Sequence, residues 1–297
     1  FLNYDIPNVP ITENYIVGAQ YSRFIRRNTV PEEPTIGVYN PHVSDPAVYE
    51  EHVKQAQTAG IDFFILQFRS ANNQNQNNQD VDFINNLQSA PNSADVNFAL
   101  SYNFGNIGLN NNNRIESKGL VQRFIDDFKL MTPFFDQTNY MKVDGKNVVY
   151  LLNSHNLHSD DNAALYQQMR SELTDLGVEL YLIGMQNEWT PTLRYDFRFV
   201  NGVDAVTHAT YAAVNKNLYD RIIYFHKFMD QAWLYHKETF EKYNIEYIPT
   251  ISPSINLKII NGGSNINVFD KDASWFRANC NVARRAAGTN RIVLVDS

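Results

Sequence analysis

The chain has 297 residues, 43% of them hydrophobic and 13% aromatic, enough for a sizeable core, which excludes a wholly disordered protein. Its net charge is −7, with basic residues clustered only at Arg23 to Arg27 and Arg284–Arg285, and this excludes the basic stripe that a duplex nucleic acid requires. The single cysteine, Cys280, forms no internal disulfide and no thiolate metal motif, and no run reaches the ~20 apolar residues of a membrane span.

Taken in chain order, the first apolar run is Tyr15–Ser22 (YIVGAQYS), followed by about twenty residues long enough to form a lid or wall. Asp45-Pro46 then supplies an N-cap and a first-turn proline for a helix that runs to Ala59 and stops at Gly60. A second strand reads at Ile61–Phe68 and a third at Val96–Tyr102, each followed by an amide-rich loop, Arg69–Gln79 and Asn103–Arg114. Leu120, Phe124, Phe128 and Met131 recur at helical spacing. Asp136–Asn147 carries Asp144-Gly145 and reads as a hairpin leading into the strand Val148–Asn153. Leu165, Met169, Leu173 and Leu176 mark a helix ended by Gly177, before the strand Leu180–Gln186. Ala205–Tyr211, the aromatic-rich helical region Leu218–Tyr243 and the strand Tyr247–Ser252 follow. After the loop Pro253–Asn267, a helix through Phe276, Cys280 and Ala283 leads to the last strand, Arg291–Ser297.

Near-continuous apolar strands alternating with helices define an α/β fold with a parallel sheet, and eight of them predict a (β/α)8 TIM barrel forming a single domain over 1–297. An open doubly wound sheet is the alternative; it requires a glycine-rich loop after the first strand, where GAQYSRF stands instead. Helix-to-strand joints are short (Ala59-Gly60, Gly177-Val178), whereas strand-to-helix joints are long, as on a barrel whose active site lies at the C-terminal face. The eighth strand stands at the C-terminus with its helix missing, so the natural chain is expected to continue past Ser297 to cover that strand.

Following one parity along the strands places Gln67, Ser101, Asn103, Asn153, His155, Gln186, Glu188 and Asp296 at the barrel mouth. Such a ring is either an internal network or a ligand surface, and its amides match the paired donors and acceptors of sugar hydroxyls. Tyr21, Tyr102, Trp189 and Tyr211 offer aromatic faces, and Arg69 after the second strand and Asn256 after the seventh complete the binding set. Glycoside hydrolysis requires two carboxyl groups roughly 5 to 9.5 Å apart, for which Glu188 and Asp296 are the candidates. Asp45 is better explained as a helix cap, and Asp62 lies at the structural end of its strand. His155 and His158 have a metal-like spacing without a third ligand, so no metal and no cofactor are predicted.

Four segments together resemble the glycoside hydrolase family 99-like barrels. They are Ser44–Leu66 (SDPAVYEEHVKQAQTAGIDFFIL), Tyr140–Leu152 (YMKVDGKNVVYLL), Tyr247–Asn256 (YIPTISPSIN) and Arg291–Ser297. The resemblance implies a (β/α)8 barrel acting on an oligosaccharide or polysaccharide, with retaining endo-α-mannosidases and α-mannanases as the characterised members; that substrate class and the asparagine-rich surface suggest a place outside the cytoplasm. It sets Tyr211 near a site-lining tyrosine of the family. It also places the family's acid pair in an E-W-x-E segment after the last strand, past Ser297. Phe68 and Arg69 stand where the family often has two tryptophans, and Asn153, Ser154 and His155 replace an Asp-Ser-Tyr strand end. Two readings follow: a glycosidase of α-linked glycans, or a glycan-binding barrel that has lost the acids. A glycan-assembly enzyme ranks last, because no diphosphate site is evident.

Overall fold

The computed structural model describes residues 4–22, 45–110, 112–186, 198–209, 225–256, 268–269 and 272–296. Its strands are β1 (Ile16–Tyr21), β2 (Phe63–Phe68), β3 (Asn97–Asn103), β4 (Lys142–Val143), β5 (Lys146–Leu152), β6 (Leu180–Gln186), β7 (Ala205–His208), β8 (Glu246–Tyr247), β9 (Thr250–Ile251), β10 (Ile255–Asn256), β11 (Val268–Phe269) and β12 (Ile292–Val295). The main sheet runs β8-β7-β6-β5-β3-β2-β1-β12-β9, with parallel pairing throughout that path. Only Ile248 and Pro249 separate β8 from β9, so the two ends of the path are halves of one strand and the nine segments close into an eight-stranded ring. On one side Ile248 N donates to Val206 O at 2.9 Å, and on the other Leu294 N donates to Pro249 O at 2.9 Å. Proline has no N–H to give, and it sits where the strand changes partners. The expected closed barrel is therefore the fold.

The helices are α1 (Pro46–Ala59), α2 (Gln74–Gln88), α3 (Val121–Leu130), α4 (Thr132–Phe135), α5 (Asn162–Thr174), α6 (Phe225–Glu241) and α7 (Ala273–Ala286). Local chemistry sets their ends. Asp45 accepts the Ala47 N–H at 3.0 Å, and Gly60 ends α1 with φ 72°. Asp144 and Gly145, at φ 50° and 80°, make the tight turn that pairs β4 antiparallel to β5. That hairpin draws Lys146 and Asn147 into the ladder, so β5 starts earlier than its apolar run. The amide-rich stretch from Gln74 is helical rather than loop, because its buried Asn77 and Asp80 lie on one face with Phe83, Ile84 and Leu87. Leu176 lies beyond α5 and is 56% exposed, so the periodic pattern overran the helix.

Strand residues of one parity fill the lumen: Phe63, Ile65, Ala99, Val148, Tyr150, Tyr181, Ile183, Ala205, Ile248, Ile292 and Leu294. Gly18 faces the same lumen, and a β-carbon there would stand 2.2 Å from the Phe63 ring; the absent side chain is what admits the phenyl group. The opposite parity (Phe64, Leu66, Leu100, Tyr102, Val149, Leu182) packs on helices through Phe83, Phe124, Phe128 and Met169. At the strand N-termini, carboxylates hold register. Asp62 accepts from Val17 N at 2.7 Å, Asp204 from Leu182 N at 2.8 Å, and Glu246 from Tyr181 Oη at 2.6 Å.

The outer face of β12 is not bare. Val293 is buried in a cluster with Tyr247, Ile251, Val282 and Ala283, with Ile6 and Tyr15 packed at its edge. The N-terminal segment is tied to this side by Val9 N to Asn281 Oδ1 (2.9 Å), Asn281 Nδ2 to Pro7 O (3.1 Å) and Tyr4 Oη to Asp230. Cys280 is half-buried beside it, and burial pushes its thiol pKa up, as suits packing rather than reactivity. No helix among the described residues is long and apolar enough to cross a membrane.

Candidate functional site at the barrel mouth

The lumen changes from apolar to polar at the strand C-termini. One step above Ile65, Ala99, Ala205, Ile248 and Leu294, the same parity presents Gln67, Ser101, Thr207, Thr250 and Asp296, with Gln20 on β1 and Ser252 and Asn103 at the rim. Gln67 pairs in register with Ser101, and Asn103 with Leu152. The Thr207 and Thr250 hydroxyls meet at 2.7 Å. Gln20, Gln67, Asn103, Asn153 and Asp296 are at least partly open to solvent, whereas Ser101, Thr207, Thr250 and Ser252 are buried.

Tyr150, the register partner of Ser101, lies buried in the lumen. Burial raises its pKa far above the ordinary phenol value, and the charge of Asp296 raises it further, while a hydrogen bond from Gln20 opposes them. Its hydroxyl is therefore neutral at any working pH. Asp296 is fixed by its backbone, whose N–H donates to Ile251 O at 3.0 Å.

Asn153 follows β5 with φ 58°, a left-handed conformation that turns its side chain toward the mouth. Its Nδ2 donates to Asn103 Oδ1 at 2.9 Å, and Gly105 N donates to the same oxygen at 2.9 Å. Ser154 then locks the strand end, donating to Met185 O at 2.9 Å and accepting from Met185 N at 2.7 Å. His155 is buried next to it, its pKa lowered first by burial and also by Arg198, against a hydrogen bond with the Met185 backbone. His158 contacts Arg198 instead, so the histidine pair does not converge. Among the described residues no group of three or more His, Cys, Asp or Glu could hold a metal.

Four of the sequence-derived binding positions lie on the helix side of the barrel wall instead. Tyr21 stacks on Phe64, with ring centroids 4.6 Å apart, and bonds His52. Arg69 is buried and clamps Asp80 through two 2.7 Å contacts. Tyr102 is fully buried among Phe104, Phe124 and Phe128. Gln186 is fully buried against His236, 3.1 Å from Nε2 to Nδ1. The reason is parity: Tyr181 and Ile183 occupy the lumen with Met185 packed beside them, which sends Gln186 outward. Asn256 lies in the β10–β11 ribbon, paired with Val268. Glu188, Trp189 and Tyr211 lie outside the described residues. The sequence reading passed over Gln20, Tyr150, Thr207, Thr250 and Ser252, although Gln20 could have been found by counting two residues on from Gly18.

A closed parallel ring with its polar groups gathered at the C-terminal mouth is a (β/α)8 barrel with those groups at the face where such barrels carry their active sites. No family model matches the sequence, and no curated protein matches it. Among solved structures, a glycoside hydrolase-like protein is 39% identical with a TM-score of 0.91, over 99% of this chain and 87% of its own. The chain belongs to that glycoside hydrolase-like family. A GH99 endo-alpha-mannosidase from Bacteroides thetaiotaomicron, in complex with BIS-TRIS-propane, superposes with a TM-score of 0.68 at 12% identity, over 94% of this chain and 82% of its own. A second structure of a GH99 endo-alpha-mannosidase from that organism gives 0.62 at 12% identity, over 88% and 69%. At this identity the two share the fold, and the family 99-like resemblance holds at that level.

Proposed function

We propose that the chain acts on an α-linked glycan at the C-terminal mouth of the barrel, as a glycosidase in an extracytoplasmic compartment. The observation that carries this reading is the mouth itself: carboxamides partly open to solvent, buried hydroxyls and the carboxylate of Asp296 at the same end of the lumen, in a chain of a glycoside hydrolase-like family. Amides at a rim bind neutral hydroxyls, and a carboxyl group on the lumen wall can serve proton transfer or attack at an anomeric carbon. Asp296 is one member of the pair such chemistry needs; Glu188, two residues past β6, is the second candidate. The compartment is inferred from the substrate class and the asparagine-rich surface.

A second reading is a glycan-binding barrel without catalysis. It is favoured by the fact that, among the described residues, Asp296 is the one carboxylate of lumen parity at the C-terminal mouth, Glu246 lying at the opposite end of the ring against Tyr181, where hydrolysis requires two.

The test is incubation of the protein with a panel of neutral α-linked oligosaccharides and chromatography of the products. Sugar release that is abolished in Asp296→Asn or Glu188→Gln supports hydrolysis and these acids. Release that survives both changes removes them from the chemistry. Binding without release selects the second reading, and neither binding nor release removes the carbohydrate assignment.

A further inference from the structure

We propose that Asn103 and Asn153 form a donor–acceptor fork that receives two adjacent hydroxyls of one sugar ring. The inference rests on the glycan reading above and specifies how part of the mouth holds its ligand.

Backbone chemistry fixes the orientation of both carboxamides. An N–H cannot donate to an NH2 group, so the Asn103 atom 2.9 Å from Gly105 N is its oxygen. The same oxygen meets the Asn153 side chain at 2.9 Å, so Asn153 presents its nitrogen there. What remains is complementary. Asn103 keeps both N–H groups of Nδ2, and Asn153 keeps Oδ1 and one N–H. Among the described residues no hydrogen bond engages these atoms, and both residues are half-buried at the mouth.

The pair is also held in place before any ligand arrives. Asn153 occupies φ 58°, a region that Asn tolerates better than most residues and that swings its side chain across to β3. Gly105 lies close beneath: a β-carbon there would stand 3.1 Å from Asn103 Oδ1. Both amides therefore lose little freedom on binding. Beside them, Leu152, the register partner of Asn103, and Met185 are half-buried apolar residues of the lumen cluster. A pyranose with neighbouring hydroxyls has the matching chemistry. One hydroxyl accepts from Asn103 and the next donates to Asn153, while ring C–H groups rest on Leu152. An anionic group does not match, since the Asn153 oxygen would face it.

Two variants separate recognition from support. Asn103→Asp keeps an oxygen for Gly105 and Asn153 but loses the N–H groups aimed at the ligand. Asn153→Gly keeps the left-handed backbone and removes the carboxamide. Calorimetric titration of the full chain is made with the panel of neutral α-linked oligosaccharides and with monodeoxy analogues of whichever sugar binds. The fork predicts that each variant weakens binding about ten-fold or more, with the melting temperature of Asn103→Asp unchanged. It also predicts that the analogue lacking the hydroxyl read by Asn103 loses a similar factor with the wild type and nothing more with Asn103→Asp. Unchanged affinity in both variants, or a lowered melting temperature at unchanged affinity, overturns the fork and leaves the glycan reading intact. A wild-type chain that binds none of the panel overturns the glycan reading itself, and the fork with it.

Discussion

Tyr102 donates its hydroxyl to Asp127 Oδ2 at 2.9 Å on the helix side of the barrel wall, joining β3 to α3. Asp127 is fully buried and its other oxygen accepts the Ala71 N–H at 3.0 Å, so one carboxylate ties the wall, the helix layer and the β2–α2 connection together. Burial raises the Asp127 pKa, against hydrogen bonds from Ser70, Tyr102 and Ala71 and the charge of Arg123.

Tyr102→Phe removes one donor from this buried carboxyl group. It should cost about 1–3 kcal/mol of stability at neutral pH. The sign with pH follows from the raised carboxyl: its ionisation opposes folding as pH rises from the ordinary carboxyl range through its folded value, and the lost donor matters most while it is ionised. The deficit of the variant should therefore shrink as pH falls toward about 4, as measured by urea unfolding at several pH values. Glycan affinity should not change, because Tyr102 faces helices. A variant with intact stability and impaired binding would return Tyr102 to the site.

The contact between Gly18 and Phe63 tests closure of the ring. Gly18→Ala sets a methyl group 2.2 Å from the phenyl ring and should destabilise by about 1–3 kcal/mol or more. In the background Phe63→Leu the same change should cost much less. A double-mutant cycle by denaturant unfolding reads the coupling, and strict additivity would refute the lumen packing described above.

His208 predicts an acid-sensitive fold. Its Nε2 accepts the Thr250 N–H at 3.1 Å and its Nδ1 faces Ala209 O at 2.8 Å, so the neutral ring satisfies both strands. Burial pushes its pKa down to about 4, with the Ala209 carbonyl opposing. The unfolded chain thus binds a proton that the folded chain refuses. Stability from this group is complete above about pH 6.5 and declines as pH falls toward 4, by up to ~1.4 kcal/mol per pH unit. His208→Gln should lower stability at neutral pH and flatten that decline; an equally steep acid slope in the variant would remove His208 as its source.

Sequence by itself determined the alternation of strands and helices, the Asp45 cap, the Gly60 and Gly177 stops and the Asp144-Gly145 turn, because each depends on backbone geometry within a few residues. It also placed Gln67, Ser101 and Asn103 on the lumen side, where β2 and β3 end in polar residues of one parity. Tertiary structure decided the rest. β6 is apolar on both faces, so alternation carries no sign of which residues turn inward, and the ring assigned Tyr181 and Ile183 to the lumen and Gln186 to the helices. Tyr102 and Arg69 likewise found their partners, Asp127 and Asp80, on helices remote from their own strands in sequence or facing away from the mouth. The fork at the mouth depended on the left-handed turn of Asn153, since only the approach of β3 to β5 brings Asn103 within reach of it.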